Sequence, residues 1–434
     1  MNRAIPQSRQ QLIELCLAEG RLSEDDAGRF RSFCDLLAAY THFQFHHINE
    51  ALKRNYLPFN PDIAEAKRRN ALSVDDGTTE SQLIDTLTTT LARANYEPLD
   101  WVAIMNAMRG SDLVDLKTEI NFYDFEQILL YHRGQTAGYG TRKKFFWQQR
   151  FDMQVYSNVL LGLKFKNESS LSANGTKRKR FNFQPGCIYL YLYRDIPQHD
   201  LELLFPNVRL SMNWFDRFLF FVPAFGAGIS MLIKIVPNLL LLLGVIAFLT
   251  LGPSFSERLG VNEQQIHETS PLLFAVSSVL LALGGFAYKQ YDSYKNKRIL
   301  FMKNVTETLF FRSIANNASV FQCLIDAAEE EECKETIVTY YHLFINNGVM
   351  TPQQVERRIE SWLHHVCGLP LEFNAERAFA RIQNLQAEIT PCGERQARLV
   401  SLFTVDDEGN CHIPALLEAK MVLDKLWDSA YDVK

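Results

Sequence analysis

The chain has 434 residues, 47% of them hydrophobic and 22% charged, with a formal net charge of −5. That balance excludes a wholly disordered or low-complexity chain. It gives no general attraction to nucleic acid or anionic lipid, so any such affinity must come from local patches.

Eight scattered cysteines without a C-x-x-C pair point to reduced, buried thiols rather than a disulfide framework. The opening residues carry neither an apolar core nor a small-residue cleavage site, so they do not read as a targeting segment. Residues 8–56 and 81–109 have helical periodicity, with Ile84, Leu87 and Leu91 on one stripe and Tyr96, Leu99, Trp101 and Ile104 on a second beyond a break at 95–98. Asn60-Pro61 is a breaker, and 70–81 is a polar loop. His42, His46 and Glu50 recur every four residues on one helical face, a spacing that can supply metal ligands. A structural or surface histidine cluster is the simpler reading, because Phe43 occupies the Glu position of an H-E-x-x-H motif.

Gln127–Arg133, Arg150–Lys166 and Cys187–Tyr193 are rich in β-branched and aromatic residues and predict a small antiparallel sheet. Two basic patches lie here. One holds Arg142, Lys143, Lys144 and Arg150 around aromatic residues, and the other is the run 177–180. Both read as membrane-headgroup contacts or solvated loops more readily than as nucleic-acid sites.

Residues 218–251 contain one charge, Lys234, and Pro271–Tyr288 contain none. A span needs roughly 17–20 apolar residues, so Ile235–Leu251 and Pro271–Tyr288 predict a two-span transmembrane hairpin. Phe218–Ile233 reads as an interfacial lead-in or, alternatively, as a third span. Arg217 before the block, and Lys289, Lys295, Lys297 and Arg298 after it, predict cytoplasmic flanks and so cytoplasmic termini. Trp214 and Tyr291 suit the headgroup level.

In the C-terminal region, 318–345 predicts one helix whose acidic run, Glu329–Glu332, reads as solvated surface; its Asp326, Glu330 and Cys333 share a face. Thr351-Pro352-Gln353-Gln354 is a capping box that starts a second helix. A third begins near Asn374, Leu399–Val405 and Cys411–Ile413 predict a hairpin across a turn at 406–410, and Pro414 opens a last helix. Helix, helix, hairpin, helix suggests a winged-helix-like module. Residues 345–434 hold nine Lys/Arg against thirteen Asp/Glu, so this module suits a protein partner better than DNA.

The sequence thus predicts an α+β, mainly helical chain in four parts. These are a helical region (1–115), a β-rich α+β region (116–210), a transmembrane hairpin with its lead-in (211–290) and a helical, winged-helix-like domain (291–434). Three stretches resemble the transmembrane protein 143 family, a domain of unknown function found in bacteria, mitochondria and plastids. They are Tyr56–Asp62, the segment from Tyr193 through Arg194, Asp195, Pro197 and Asp200 to Pro206, and Asn316-Asn317 leading to the acidic helix with Glu332. The resemblance implies a two-span membrane protein and brings no catalytic residues; with no transit peptide, a bacterial inner-membrane location is expected.

Phosphate-binding glycine loops, nucleophile elbows and zincin motifs are all lacking. The leading expectation is a membrane-anchored scaffold or adaptor without cofactor, whose partners are the bilayer and a protein or second copy, with nucleic acid disfavoured. A membrane-associated metal-dependent hydrolase using the 42–50 face, and a subunit of an oligomeric transporter or channel, stand as alternatives.

Overall fold

The computed structural model describes residues 3–65, 68, 76–99, 116–144, 147–166, 183, 184, 186–212, individual helical positions between 278 and 311, and residues 312–346, 350–368, 371–390 and 396–429. Helix α1 (Arg9–Ala18) starts at a capping box in which Ser8 and Gln11 bond reciprocally. Helix α2 (Glu24–Tyr56) begins at Ser23, with Glu24, Asp25 and Asp26 in its first turn to complement the helix dipole. Helix α3 (Asp76–Arg93) follows. The second stripe expected for this region departs from a helix: Asn95 turns the chain with φ +59°, a conformation Asn tolerates. Glu97–Pro98 then forms strand β1, and 101–109 lie outside the described residues.

The chain divides into two compact units. The larger comprises 1–106, 122–204 and 312–434. It holds a five-stranded antiparallel sheet in the order β1, β3 (Phe125–Lys144), β4 (Trp147–Phe165), β5 (Ile188–Pro197) and β7 (Ser313–Asn316). One face of the sheet, with Leu160, Leu190 and Leu192, packs in a core with Phe45, Leu52, Tyr56, Leu87 and Leu91. Gly162 lets strands approach there, since a Cβ would sit 3.1 Å from that of Leu129. The smaller unit contains strand β2 (Leu116–Glu119) paired antiparallel with β6 (Arg209–Met212).

Helix α4 (Ala318–Phe344) contributes to two cores. Its first half, Val320–Ala328, joins α2, α3 and the sheet. Its last turns, Ile337–Leu343, join a second core with Leu12 of α1, Phe30 and Phe33 of α2, and the C-terminal elements. Phe33 stacks on Tyr340 at 4.4 Å.

The C-terminal elements are α5 (Pro352–Cys367), α6 (Ala375–Asn384), β8 (Gln386–Ile389), β9 (Arg398–Ser401), β10 (Thr404–Val405), β11 (Cys411–His412) and α7 (Leu416–Ser429). They correct the winged-helix expectation. Two short hairpins stand where one was expected, β8 with β9 and β10 with β11. The strand expected at 399–405 is interrupted because Leu402 turns its N–H to the Leu385 carbonyl and Ser401 caps Phe403. The surrounding helices bury their stripes in the same core as α1 and α2.

The two-span hairpin is likewise corrected: among the described residues no helix is long and apolar enough to cross a membrane. The first expected run, 218–251, lies outside the described residues. Of the second, only 278, 281, 284, 285 and 288 are described, all at exposed helical positions. Helical positions continue to 312 and carry Lys289, Asp292, Lys295, Lys303 and Glu307. That charge density leaves 289–312 without a sufficiently long apolar window.

Candidate functional site

The second half of the acidic run of α4 is buried, and the burial continues to Glu335. Glu331 is fully inaccessible, and Glu332, Lys334 and Glu335 are each 3% exposed. The expectation of a solvated surface fails because cations from other elements converge on these carboxylates. Arg93, at the end of α3, grips Glu332 through two bonds of 2.5 and 2.8 Å. Arg133 of β3 lies 2.6 Å from Glu331, as does Lys334. Arg377 and Arg381, one turn apart on α6, hold Glu335 at 2.8 and 3.2 Å.

Asn95 donates to both Glu331 and Glu335. Lys334 also donates to the Ile5 and Gln7 carbonyls. Paired, bidentate contacts of this kind offset the desolvation of buried charge. Each carboxylate is held as an acceptor. Among the described residues neither a nucleophile nor a general base is paired with it. Burial pushes the neighbouring Cys333 thiol up to about 11, so it stays protonated. This cluster is a fastening between elements, and Glu332 is part of it.

The histidine face does not assemble into a metal site. His42 Nδ1 lies 2.8 Å from Glu329, and Glu50 accepts from Lys53 at 3.0 Å, a bond that lowers its carboxyl pKa. His46 sits on exposed helix beside His47, their ring centroids 6.0 Å apart. No group of three His, Cys, Asp or Glu side chains able to hold a metal occurs among the described residues. On α4, Asp326 accepts from Gln322 and Glu330 from the Arg9 backbone.

Of the expected membrane-interface residues, Trp214, Arg217, Lys297 and Arg298 lie outside the described residues. Lys289, Tyr291 and Lys295 occupy exposed helical positions.

The motif residues have structural roles. Arg194 and Asp195 are exposed on β5, with Asp195 at φ +53°, and Pro197 is buried opposite Val155. Asp200 pairs with Arg312 at 3.5 Å. In the smaller unit, Pro206 lies between the buried Phe205 and Asn207, and Asn207 donates to the Asn121 carbonyl. Asn316 pairs with Tyr191. Asn317, buried at the start of α4 with φ +48°, donates to both oxygens of Asp62 at 3.0 Å. It accepts from the Leu190 N–H. Its side chain therefore fixes the sheet, the 57–62 segment and the helix start at one point.

An open feature with room for a ligand lies between α5 and α6. Thr351 and Gln354 cap α5, which buries Val355, Ile359 and Leu363. Asn374 caps α6 by accepting from the Arg377 N–H, and Glu360 accepts from the Phe373 N–H. The two helices and β10 enclose a groove of about 850 Å³. Phe373, Phe379 and Phe403 line it, the last two stacked at 4.7 Å. Glu356, Glu360, Glu372 and Glu376 also line it, against Arg3 and Arg357. Arg3 is engaged by Glu97 and Glu372. An acidic margin over an aromatic floor suits a cationic partner bearing an apolar anchor. The sequence signalled this only as the net negative charge of 345–434; which acids share a margin depends on how α5 and α6 pack.

A DUF3754 domain, described as a protein of unknown function, is found at residues 125–319. It runs from β3 to the first turn of α4, ending before the groove. The match gives neither a bacterial origin nor a named transmembrane family, and the bacterial assignment is withdrawn. No solved structure matches the chain.

Proposed function

We propose that this chain is a non-enzymatic scaffold or adaptor that works at a membrane and binds other protein through the groove between α5 and α6. The observation that carries the reading is the acid-margined, aromatic-floored groove. The buried carboxylates, the residues closest to catalytic chemistry in type, are already engaged by arginine and lysine. The finer likeness to the transmembrane protein 143 family supports the reading. Its motif residues from Arg194 to Asn317 fall inside the matched domain, and Asn317 joins the sheet to the 57–62 segment at the start of α4. Membrane association rests on the sequence, where Ile235–Leu251 carries no charge.

The test is affinity capture of the full chain from detergent-solubilised membranes, with metal analysis of the same sample. A reproducible protein partner that is lost from a Glu356→Lys/Glu376→Lys variant supports the adaptor. Stoichiometric metal with turnover, or a partner indifferent to the groove, removes it.

A further inference from the structure

We infer that the groove receives the tip of the β3–β4 ribbon from a second copy of this chain. The inference rests on the adaptor reading of the groove and names its occupant.

Strands β3 and β4 stay in register to Lys144 opposite Trp147. Their neighbours stop much earlier. Strand β5 pairs with β4 only between Val155 and Lys164, and β1 meets β3 only at Tyr131 and His132. Among the described residues, 139–144 and 147–152 therefore pair only with each other. A two-stranded ribbon by itself is marginally stable in water, and its unpaired edges invite a partner.

The ribbon end is cationic. Arg142, Lys143, Lys144 and Arg150 lie at it, and no acid occurs from Gly134 to Phe151. Trp147 occupies the last described register position, opposite Lys144. The groove presents the complement: four glutamates against two arginines, over Phe373, Phe379 and Phe403. Opposite charge steers and orients such an encounter, and an aromatic anchor on an apolar floor supplies the buried contact. Two copies related by a twofold axis would each give a ribbon and receive one, which closes the assembly.

The experiment is analytical ultracentrifugation of the full chain in non-ionic detergent. It compares wild type, Lys143→Glu/Lys144→Glu, Glu356→Lys/Glu376→Lys and the four-site combination, with circular dichroism confirming folding. Wild type should self-associate, more weakly as salt rises. Each charge reversal should weaken association by about tenfold or more, and the combination should restore it. A synthetic peptide of residues 141–151 should compete with the wild-type association, which keeps the inference open to refutation should a variant fail to fold.

Self-association indifferent to either reversal, a combination that fails to restore it, or a peptide without effect overturns the inference. Were the ribbon variant to lose binding to phosphatidylserine vesicles while self-association stayed intact, the ribbon would belong to lipid and the inference would fall. If groove variants alone lose a captured protein and ribbon variants do not, this inference fails while the adaptor reading stands.

Discussion

His342 shows how a single buried side chain sets a pH response. It is 1% exposed on α4, edge-on to Trp362 at 5.2 Å, and neither ring nitrogen has a hydrogen-bond partner. Burial, with Arg358 and Arg21 nearby, holds its pKa down at about 3. The folded pKa lies below the unfolded one, so the neutral ring favours the native state fully above about pH 6.5. That contribution is lost as pH falls, because only the unfolded chain takes up the proton. Between pH 7 and pH 5 this one residue should remove about 2 kcal/mol. Urea midpoints at the two pH values should show that loss in wild type and a correspondingly smaller one in His342→Phe. Equal losses in both would refute the assignment. In the sequence, His342 is one of ten histidines. Its isolation comes from α5 packing over it.

Between elements, the controlling feature is the charged band of α4. The helix buries apolar side chains between Val320 and Ala328, charged ones between Glu331 and Glu335 and mainly apolar ones again from Ile337. Its middle lies where α3, β3 and α6 meet it, and each sends an arginine. Removing one partner of a buried pair leaves an uncompensated charge, which costs about 3–5 kcal/mol. Arg93→Ala leaves Glu332 only the longer contact of Arg381 at 3.5 Å, so it should destabilise by about 3 kcal/mol in urea unfolding. Arg93→Ala combined with Glu332→Ala should cost clearly less than the sum of the two single changes. Additive losses would mean that the 2.5 Å contact contributes nothing.

The helix itself was legible, because its length and boundaries follow from local periodicity. Its surroundings were not. Three glutamates in five residues, Glu331, Glu332 and Glu335, look solvated until arginines at positions 93, 133, 377 and 381 are brought together. The same limit applies to the histidine face of α2: helical spacing aligned it, but only Glu329 of α4 reaches it, at His42, and no group of three metal-binding side chains forms among the described residues.

For the whole molecule, the N-terminal helices and the C-terminal elements share one hydrophobic core. Leu12, Phe30 and Phe33 pack with Tyr340, Ile359 and Val422, and Lys334 needs the Ile5 and Gln7 carbonyls. A fragment of residues 312–434 would expose that apolar surface and leave Lys334 without the Ile5 and Gln7 carbonyls and Glu331 without Arg133. Expressed alone, it should show no cooperative thermal transition by calorimetry; a sharp transition would establish an independent domain.

What the sequence determined by itself is local: the capped start of α5, the strand-forming runs around β4 and β5, the turn at 406–410 and the acidity of the C-terminal region. These depend on neighbours a few residues away, so composition and spacing suffice. Tertiary structure alone decided that the acidic helix is interior, that α1 and α2 complete the C-terminal core, and that four glutamates margin one aromatic groove. The first two depend on groups up to hundreds of positions apart being brought within a few ångströms, and the third on how α5 packs against α6; in each, burial and pairing outweigh any preference a short segment can express.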